Sequence, residues 1–364
     1  MDKWKSSMED VEMIPNFWNE KKVFITGHTG FKGGWLCHIL SQLGAEVTGY
    51  SLLPNTIPNL YECSNVEKII YKSIIGDIRE YKNLEKSIID SKATHIFHLA
   101  AQPLVRESYI SPVDTYSTNV MGTVHVLESF IKSPFSQVLI NITTDKVYEN
   151  KEWEWGYREN DNLGGRDPYS NSKSCAELVT LAYRKSFTSN FNKSISTVRA
   201  GNVIGGGDWS KDRLIPDILK SINENQDLII RNPNSIRPWQ HVLEPLFGYL
   251  LLSEKMTKNP ASFSGEWNFG PEDSDSKSVE WIVDKFSKNL KIPKFWKIDS
   301  TNQPHESNYL KLDCSKAKNI LGWYPKWNLE VAIQKILEWN LHFNKGQDMK
   351  KVIDNQITSY HNLN

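Results

Sequence analysis

Short apolar runs, each closed by glycine or small polar residues, recur along the chain up to Ala200, and between them apolar positions fall at helical intervals. Val23-Phe-Ile-Thr26 is β-branched and aromatic and reads as a strand. Trp35, Leu36, Ile39, Leu40 and Leu43 then recur three and four residues apart, as on one face of a helix. Glu46–Leu52, Ser73–Ile78, Thr94–Ala101 and Val138–Ile142 repeat the strand signature, and a further strand is expected near residue 194. The run from Thr94 is apolar enough for burial on both faces, as in a parallel sheet. Strands separated by helices predict an α/β fold built on a doubly wound parallel sheet of Rossmann type. From Gly205 the pattern changes. Gly205-Gly-Gly-Asp-Trp209 reads as a flexible turn, Asp212–Pro216 opens a helix, Leu228-Ile-Ile-Arg231 is a short strand, and Leu329 to about Phe343 an amphipathic helix. The expected organisation is an N-terminal extension (1–21), a first domain (22–204), a smaller C-terminal α/β domain (205–343) with some segments returning to the sheet, and a frayed polar tail (344–364). The extension carries isolated Trp4, Met13, Phe17 and Trp18, which suit either an amphipathic cover or a loose arm.

Composition narrows the function classes. Lys plus Arg and Asp plus Glu are 43 each in 364 residues, so no net field recruits nucleic acid or an anionic membrane. The four cysteines, at 37, 63, 175 and 314, are scattered; this points to a reducing compartment, with neither a disulfide framework nor a metal site. No stretch approaches the roughly 18 apolar residues of a membrane span, and the charged N-terminus shows no secretory signal. The expected location is the cytoplasm. Thirteen tryptophans are the one excess, and Trp153–Arg158 reads as packing in preference to pocket lining.

Gly27-His-Thr-Gly30-Phe-Lys-Gly33 lies between the first strand and the first helix. Glycines there let the backbone turn tightly and approach a pyrophosphate at a helix N-terminus, which predicts a dinucleotide. The second strand, where an acid commonly holds the adenosine ribose, offers only Gly49-Tyr50-Ser51. Lys32 would suit a 2′-phosphate, so NAD and NADP both remain open. Asp77 is a candidate for the adenine amino group or for a helix N-cap. Leu99, Ala100 and Ala101 let a cofactor lie close to the backbone. His95 and His98 alternate with apolar residues and read as core.

Thr143-Thr144-Asp145-Lys146 ends the strand Val138–Ile142, where ligands bind in open α/β sheets. Tyr169 and Lys173 follow, four apart on one helix face. An ammonium near a phenol favours the phenolate, which makes a general base. Asn119 and Gly122 sit unfavourably inside a helical stretch, a departure that marks close packing or function.

Together these residues carry a resemblance. Gly27-x-x-Gly30-x-x-Gly33, Asp77, Leu99-Ala-Ala101, Asn119-Val-x-Gly122-Thr123, Thr144 and Tyr169-x-x-x-Lys173 resemble the extended short-chain dehydrogenase/reductase superfamily. Ala101-Gln-Pro-Leu-Val-Arg106, Thr144-Asp-Lys146, Arg199 to Trp209, Asp212 to Asp217, Arg237 to Val242 and Asn268 to Pro271 are similar to the nucleotide-sugar 4,6-dehydratases, and to the CDP-glucose branch within them. The resemblance spans about Lys22 to about Trp339. It implies an NAD-dependent lyase that turns CDP-glucose into CDP-4-keto-6-deoxyglucose for deoxysugar synthesis, with a nucleotide-sugar epimerase as the alternative and a non-catalytic NAD-sensing module more distant. Tyr169 would take the C4 hydroxyl proton with Thr144 beside it, and Lys173 would tune Tyr169 and hold the nicotinamide ribose. Asp145, as the acid, would protonate the departing C6 hydroxyl, and neutral Lys146 would remove the C5 proton. A plain Asp145–Lys146 salt bridge is the competing reading. Thr29, Phe31, Ile78 and Thr143 join the cofactor side. Arg106, Asn202, Arg213, Arg231, Arg237, His241 and Tyr309 form the substrate side, although Asp208, Asp217 or Glu244 would be ordinary partners for some of the arginines. His305-Glu306, Tyr309 and Asp313 to Trp323 resemble a closing element. The helices from Arg106 to Ile131 and from Tyr169 to Lys185 would form the face of a homodimer, alone or within a homotetramer.

Overall fold

The computed structural model describes residues 13–14, 16–188, 193–299 and 309–362. Seven strands form the central sheet: β1 (Lys22–Thr26), β2 (Glu46–Ser51), β3 (Lys72–Ile75), β4 (His95–His98), β5 (Val138–Ile142), β6 (Ser194–Ala200) and β7 (Gly265–Phe269). All pairs are parallel, in the order β7-β6-β5-β4-β1-β2-β3. The order reverses between β1 and β4, which opens a crevice at their carboxyl ends. Six of the seven strands are the ones the apolar runs predict. The seventh, β7, returns from the second domain; its polar Glu266 and Asn268 hid it in the sequence. Asn268 is fully buried because Tyr148 donates to its Oδ1 (2.7 Å), while its Nδ2 donates to the carbonyls of Tyr157 (2.8 Å) and Asp313 (3.1 Å).

The longer helices are α1 (Phe31–Gln42), α2 (Tyr81–Ser91), α3 (Gly122–Lys132), α4 (Pro168–Phe187), α5 (Leu214–Glu224), α6 (Leu243–Lys258), α7 (Val279–Leu290), α8 (Leu329–Asn344) and α9 (Met349–His361). Alternate strand residues feed opposite faces. Val23, Ile25, Phe97 and Ile140 meet α1 and α6 on one side, and Phe24, Ile96 and Leu139 meet α2 and α3 on the other. A separate core of Ile215, Ile218, Ile282, Phe286, Ile333 and Ile336 joins α5, α7 and α8 in the second domain.

Both flanking segments are tied to α6 by buried carboxylates. Glu254 accepts from Ile14 N (2.8 Å) and Trp18 Nε1 (2.7 Å), so residues near Trp18 form a cover over His95; Trp4 lies outside the described residues. The expectation of a frayed tail is corrected. Residues 349–361 form α9, whose Met349, Val352, Ile353, Ile357 and Tyr360 are buried. Tyr360 donates to Glu244 (2.6 Å), which also accepts from the backbone of Lys326 and Trp327. The stripe is helical in spacing, but intervening charges conceal it in the sequence.

Asn119 explains its unfavourable helical position. The chain opens into a π turn at Ser117–Met121, where Asn119 accepts from Gln102 N (2.8 Å) and donates to Gln102 O (3.0 Å) and Ser172 Oγ (2.9 Å). It thereby joins the segment after β4 to α4. At Gly122 a Cβ would meet Ile78 Cδ1 at 2.5 Å. His95 and His98 are core residues, as expected, and burial pushes both down to about 3.

Candidate active site

One cleft of about 1560 Å³ runs across the carboxyl ends of the strands. This exceeds the roughly 300–1,000 Å³ of a typical single-ligand pocket and suits two nucleotide-sized ligands. At one end the glycine turn leaves β1. Gly27 takes φ +81°, and a Cβ on Gly33 would lie 2.1 Å from the Gly27 carbonyl oxygen, so only glycine permits this crossing. The turn feeds the N-terminus of α1, and Thr29, Gly30, Phe31, Asp77, Ile78, Leu99, Ala100, Ala101 and Thr143 line the same cleft. Thr29 Oγ1 bonds to Ser51 Oγ (2.9 Å) and donates to Leu52 O (2.8 Å) at the end of β2. A backbone cradle that a single methyl would fill, at a helix N-terminus, fits a dinucleotide pyrophosphate.

Two expectations at this end are corrected. Asp77 is not a helix cap: α2 starts beyond Glu80, and the Asp77 carboxylate accepts from Arg79 Nε (2.9 Å), Nη2 (2.6 Å) and N (2.8 Å). Lys32 does not point to the adenosine ribose. Burial lowers it to about 7, and the charges acting on it are Arg213, Lys173, Asp145 and Asp208, at the opposite end of the cleft.

There, β5 and α4 bring the reactive groups together. Asp167 caps α4 by accepting from Ser170 N (2.9 Å), which sets the helix start and aims Tyr169 and Lys173 into the cleft. Lys173 Nζ donates to Ile142 O (3.1 Å) at the end of β5, and burial lowers it to about 8 against the opposing pull of Glu177. Thr144 Oγ1 donates to Asp145 Oδ1 (3.1 Å) and lies near enough to the Tyr169 phenol to favour its ionised form. Burial raises Tyr169 to about 12; Thr144 and the Arg213 guanidinium work against that rise. The charges acting most on the phenol are Arg213, Asp145 and Asp167, and burial outweighs the groups that lower it.

Burial raises the Asp145 carboxyl above the ordinary carboxylate range, although Lys146, Thr144, Arg237 and Lys32 oppose it. Its Oδ2 has no hydrogen-bond partner among the described residues, so the strand-end salt bridge with Lys146 does not form. A buried carboxyl whose proton affinity is raised, beside a phenol, suits proton donation.

On the substrate side, Arg106, Asn202, Arg213, Arg231 and Arg237 all line the cleft. Arg213 Nη1 donates to Asp208 (2.9 Å), while Arg106 (3.0 Å) and Arg231 (3.6 Å) share Asp212. Arg237 is buried and donates to Ile236 O (2.9 Å). Two residues do not reach the cleft. His241 is fully buried between Trp35 and Trp327, because its strand runs under α1. Tyr309 turns away and donates to Glu154 O (3.2 Å). His305 and Glu306 lie outside the described residues. Trp153 packs as expected, against Tyr157, which stacks on Tyr148; Trp155 touches Trp153 but is 64% exposed.

Residues 24–336 match the family model described as GDP-mannose 4,6 dehydratase. The CDP-glucose 4,6-dehydratase of Salmonella typhimurium is 53% identical over 95% of this chain and 97% of its own length. The chain belongs to the nucleotide-sugar 4,6-dehydratase family. Among solved structures of the same fold, the dTDP-glucose 4,6-dehydratase of Bacillus anthracis in complex with NAD superposes with TM-score 0.75 at 22% identity, covering 92% of this chain and 99% of that one. The UDP-glucose 4-epimerase of Thermotoga maritima superposes with TM-score 0.76 at 19% identity, covering 89% and 98%. The family match ends inside α8, so α9 lies beyond the residues that the family model matches. Sequence reading of this dehydratase overlooked Glu177 and Arg199, buried together behind the reactive groups; the four-residue interval from Lys173 to Glu177 was the available signal.

Proposed function

We propose that this dehydratase acts on CDP-glucose with NAD as cofactor and yields CDP-4-keto-6-deoxyglucose. The observation that carries the reading is the buried Asp145 carboxyl beside Tyr169 and Thr144, which burial pushes above the ordinary carboxylate range: loss of water at C6 needs an acid there, whereas epimerisation at C4 does not. The 53% identical relative supports the cytidine nucleotide. The placement of Lys32 away from the ribose end of the cleft supports NAD over its phosphorylated form. When bound along the glycine turn, NAD supplies a reversible two-electron acceptor next to the sugar.

The residues of the chain supply the rest. Tyr169 removes the C4 hydroxyl proton, Thr144 holds the same oxygen, and Lys173 holds the nicotinamide ribose. The C4 ketone acidifies the C5 proton, which Lys146 removes while Asp145 gives its proton to the leaving C6 hydroxyl. Arg213, Arg231 and Arg237 are suited to the diphosphate by their planar guanidinium forks, with Asn202 and Arg106 beside them.

Incubation with CDP-, dTDP-, UDP- and GDP-glucose, each deuterated at C4, tests this. The expected result is loss of one water from the CDP sugar, an alkaline ketone absorbance, and deuterium at C6. An isomeric product of unchanged mass would identify an epimerase instead, and preferential turnover of another nucleotide would overturn the cytidine assignment.

We further infer that the chain works in the cytoplasm as a homodimer or a pair of dimers. Among the described residues no helix is long and apolar enough to cross a membrane. Ile110, Val113, Met121 and Leu178 are exposed on the helices from Val105 to Lys132 and on α4. Light scattering is expected to give at least twice the chain mass, and Leu178→Lys to lower it; a monomer in both would sink the oligomer.

A further inference from the structure

Helix α4 presents Tyr169, Lys173 and Glu177 at successive four-residue intervals, hence along one face. Glu177 is 2% exposed, and four donors fill its oxygens: Thr143 Oγ1 (2.5 Å), Thr197 Oγ1 (2.6 Å), Arg199 Nε (2.9 Å) and Arg199 Nη2 (2.9 Å). Arg199 is fixed in turn, donating Nη1 to Tyr148 Oη (2.8 Å) and Glu159 O (3.1 Å). Successive turns of α4 therefore grip successive residues of the β5 end: Lys173 holds Ile142 O, and Glu177 holds the Thr143 hydroxyl. Thr144 and Asp145 follow immediately.

We propose that Glu177, locked by Arg199, is a positioning residue that fixes the β5 end against α4 and supplies the counter-charge keeping Lys173 an ammonium. The proposal rests on the assignment of Tyr169 and Lys173 to the reaction. The groups facing Lys173 are Tyr169 and Glu177 on its own helix, His98 on β4 and Lys32 on α1. His98 is held neutral by burial and Lys32 is itself a base, so Glu177 is the anion that opposes the burial of Lys173. Burial alone would raise Glu177, yet the Arg199 charge, together with hydrogen bonds from Arg199, Thr143 and Thr197, holds it below the ordinary range.

The test compares the full chain with Glu177→Gln/Arg199→Gln, which removes both buried charges together, and with Glu177→Asp, which keeps the anion. Two quantities are read against pH: NAD affinity by calorimetry and kcat/KM with CDP-glucose. In the parent both are expected to fall as pH rises through about 8, where Lys173 loses its proton. In the neutral pair that fall should move down by about one pH unit, making NAD binding about fivefold weaker at pH 8. Glu177→Asp should restore the parental profile. A folded neutral pair with the parental profile overturns the proposal. NAD affinity reports on Lys173 whether or not CDP-glucose is turned over, so failure of the substrate assignment is read separately. If the neutral pair does not fold, Thr197→Val removes one donor outside the cleft; it is expected to lower kcat about threefold, and parental kcat there overturns the positioning role.

Discussion

Tyr169→Phe is expected to lower turnover of CDP-glucose by about 10³-fold, within the roughly 10²–10⁴ that a positioned base contributes, while NAD affinity stays within about twofold of the parent. The substitution removes one hydroxyl and keeps the ring, which is 8% exposed and fixed at the capped start of α4. The neighbouring hydroxyl does not replace it, because Thr144 already donates to Asp145. Burial raises Tyr169 to about 12, so abstraction depends on the cationic and hydrogen-bonding groups around it. The variant separates chemistry from binding: single-turnover absorbance reads C4 oxidation and calorimetry reads NAD. Near-parental oxidation would remove Tyr169 as the base, whereas joint loss of oxidation and NAD binding would make it a packing residue.

A chain ending at Gly346 is expected to lose most of its stability. Deleting α9 uncovers the partners of Met349, Val352, Ile353, Ile357 and Tyr360, all buried. At about 1.5–3 kcal/mol for each buried side chain, the five sum to about 8–15 kcal/mol as an upper estimate, comparable to the roughly 5–15 kcal/mol that typically separates folded from unfolded chains. Glu244 would also lose the Tyr360 hydroxyl, one of three donors to a carboxylate that burial raises to about 7. The truncated chain should be recovered largely unfolded or melt at least about 10 °C lower. A cooperative melt within about 3 °C of the parent would show that the tail is dispensable after all.

The C-terminal segment is where the amino-acid pattern misleads. Residues 345–364 are polar on average, and only the docking of α9 against α1 and α6 decides that its apolar stripe is buried. His241 went astray for the same reason: a histidine beside arginines resembles a ligand-binding residue until Trp35 and Trp327 enclose it. Lys32 sits in the glycine turn, yet the charges acting on it are those around the reactive groups, Arg213, Lys173, Asp145 and Asp208.

The strands β1 to β6, the glycine crossing between Gly27 and Gly33, and the pairing of Tyr169 with Lys173 are legible in the amino-acid order alone. Each depends on spacing within one element, and covalent geometry sets that spacing. Tertiary structure decided which charges face one another: Glu177 with Arg199, Arg213 with Asp208, and Asp145 without Lys146. Those residues come from different strands, helices and loops, so their separation, and the loss of water that shifts their proton affinities, exists only once the sheet and the second domain have closed around the cleft.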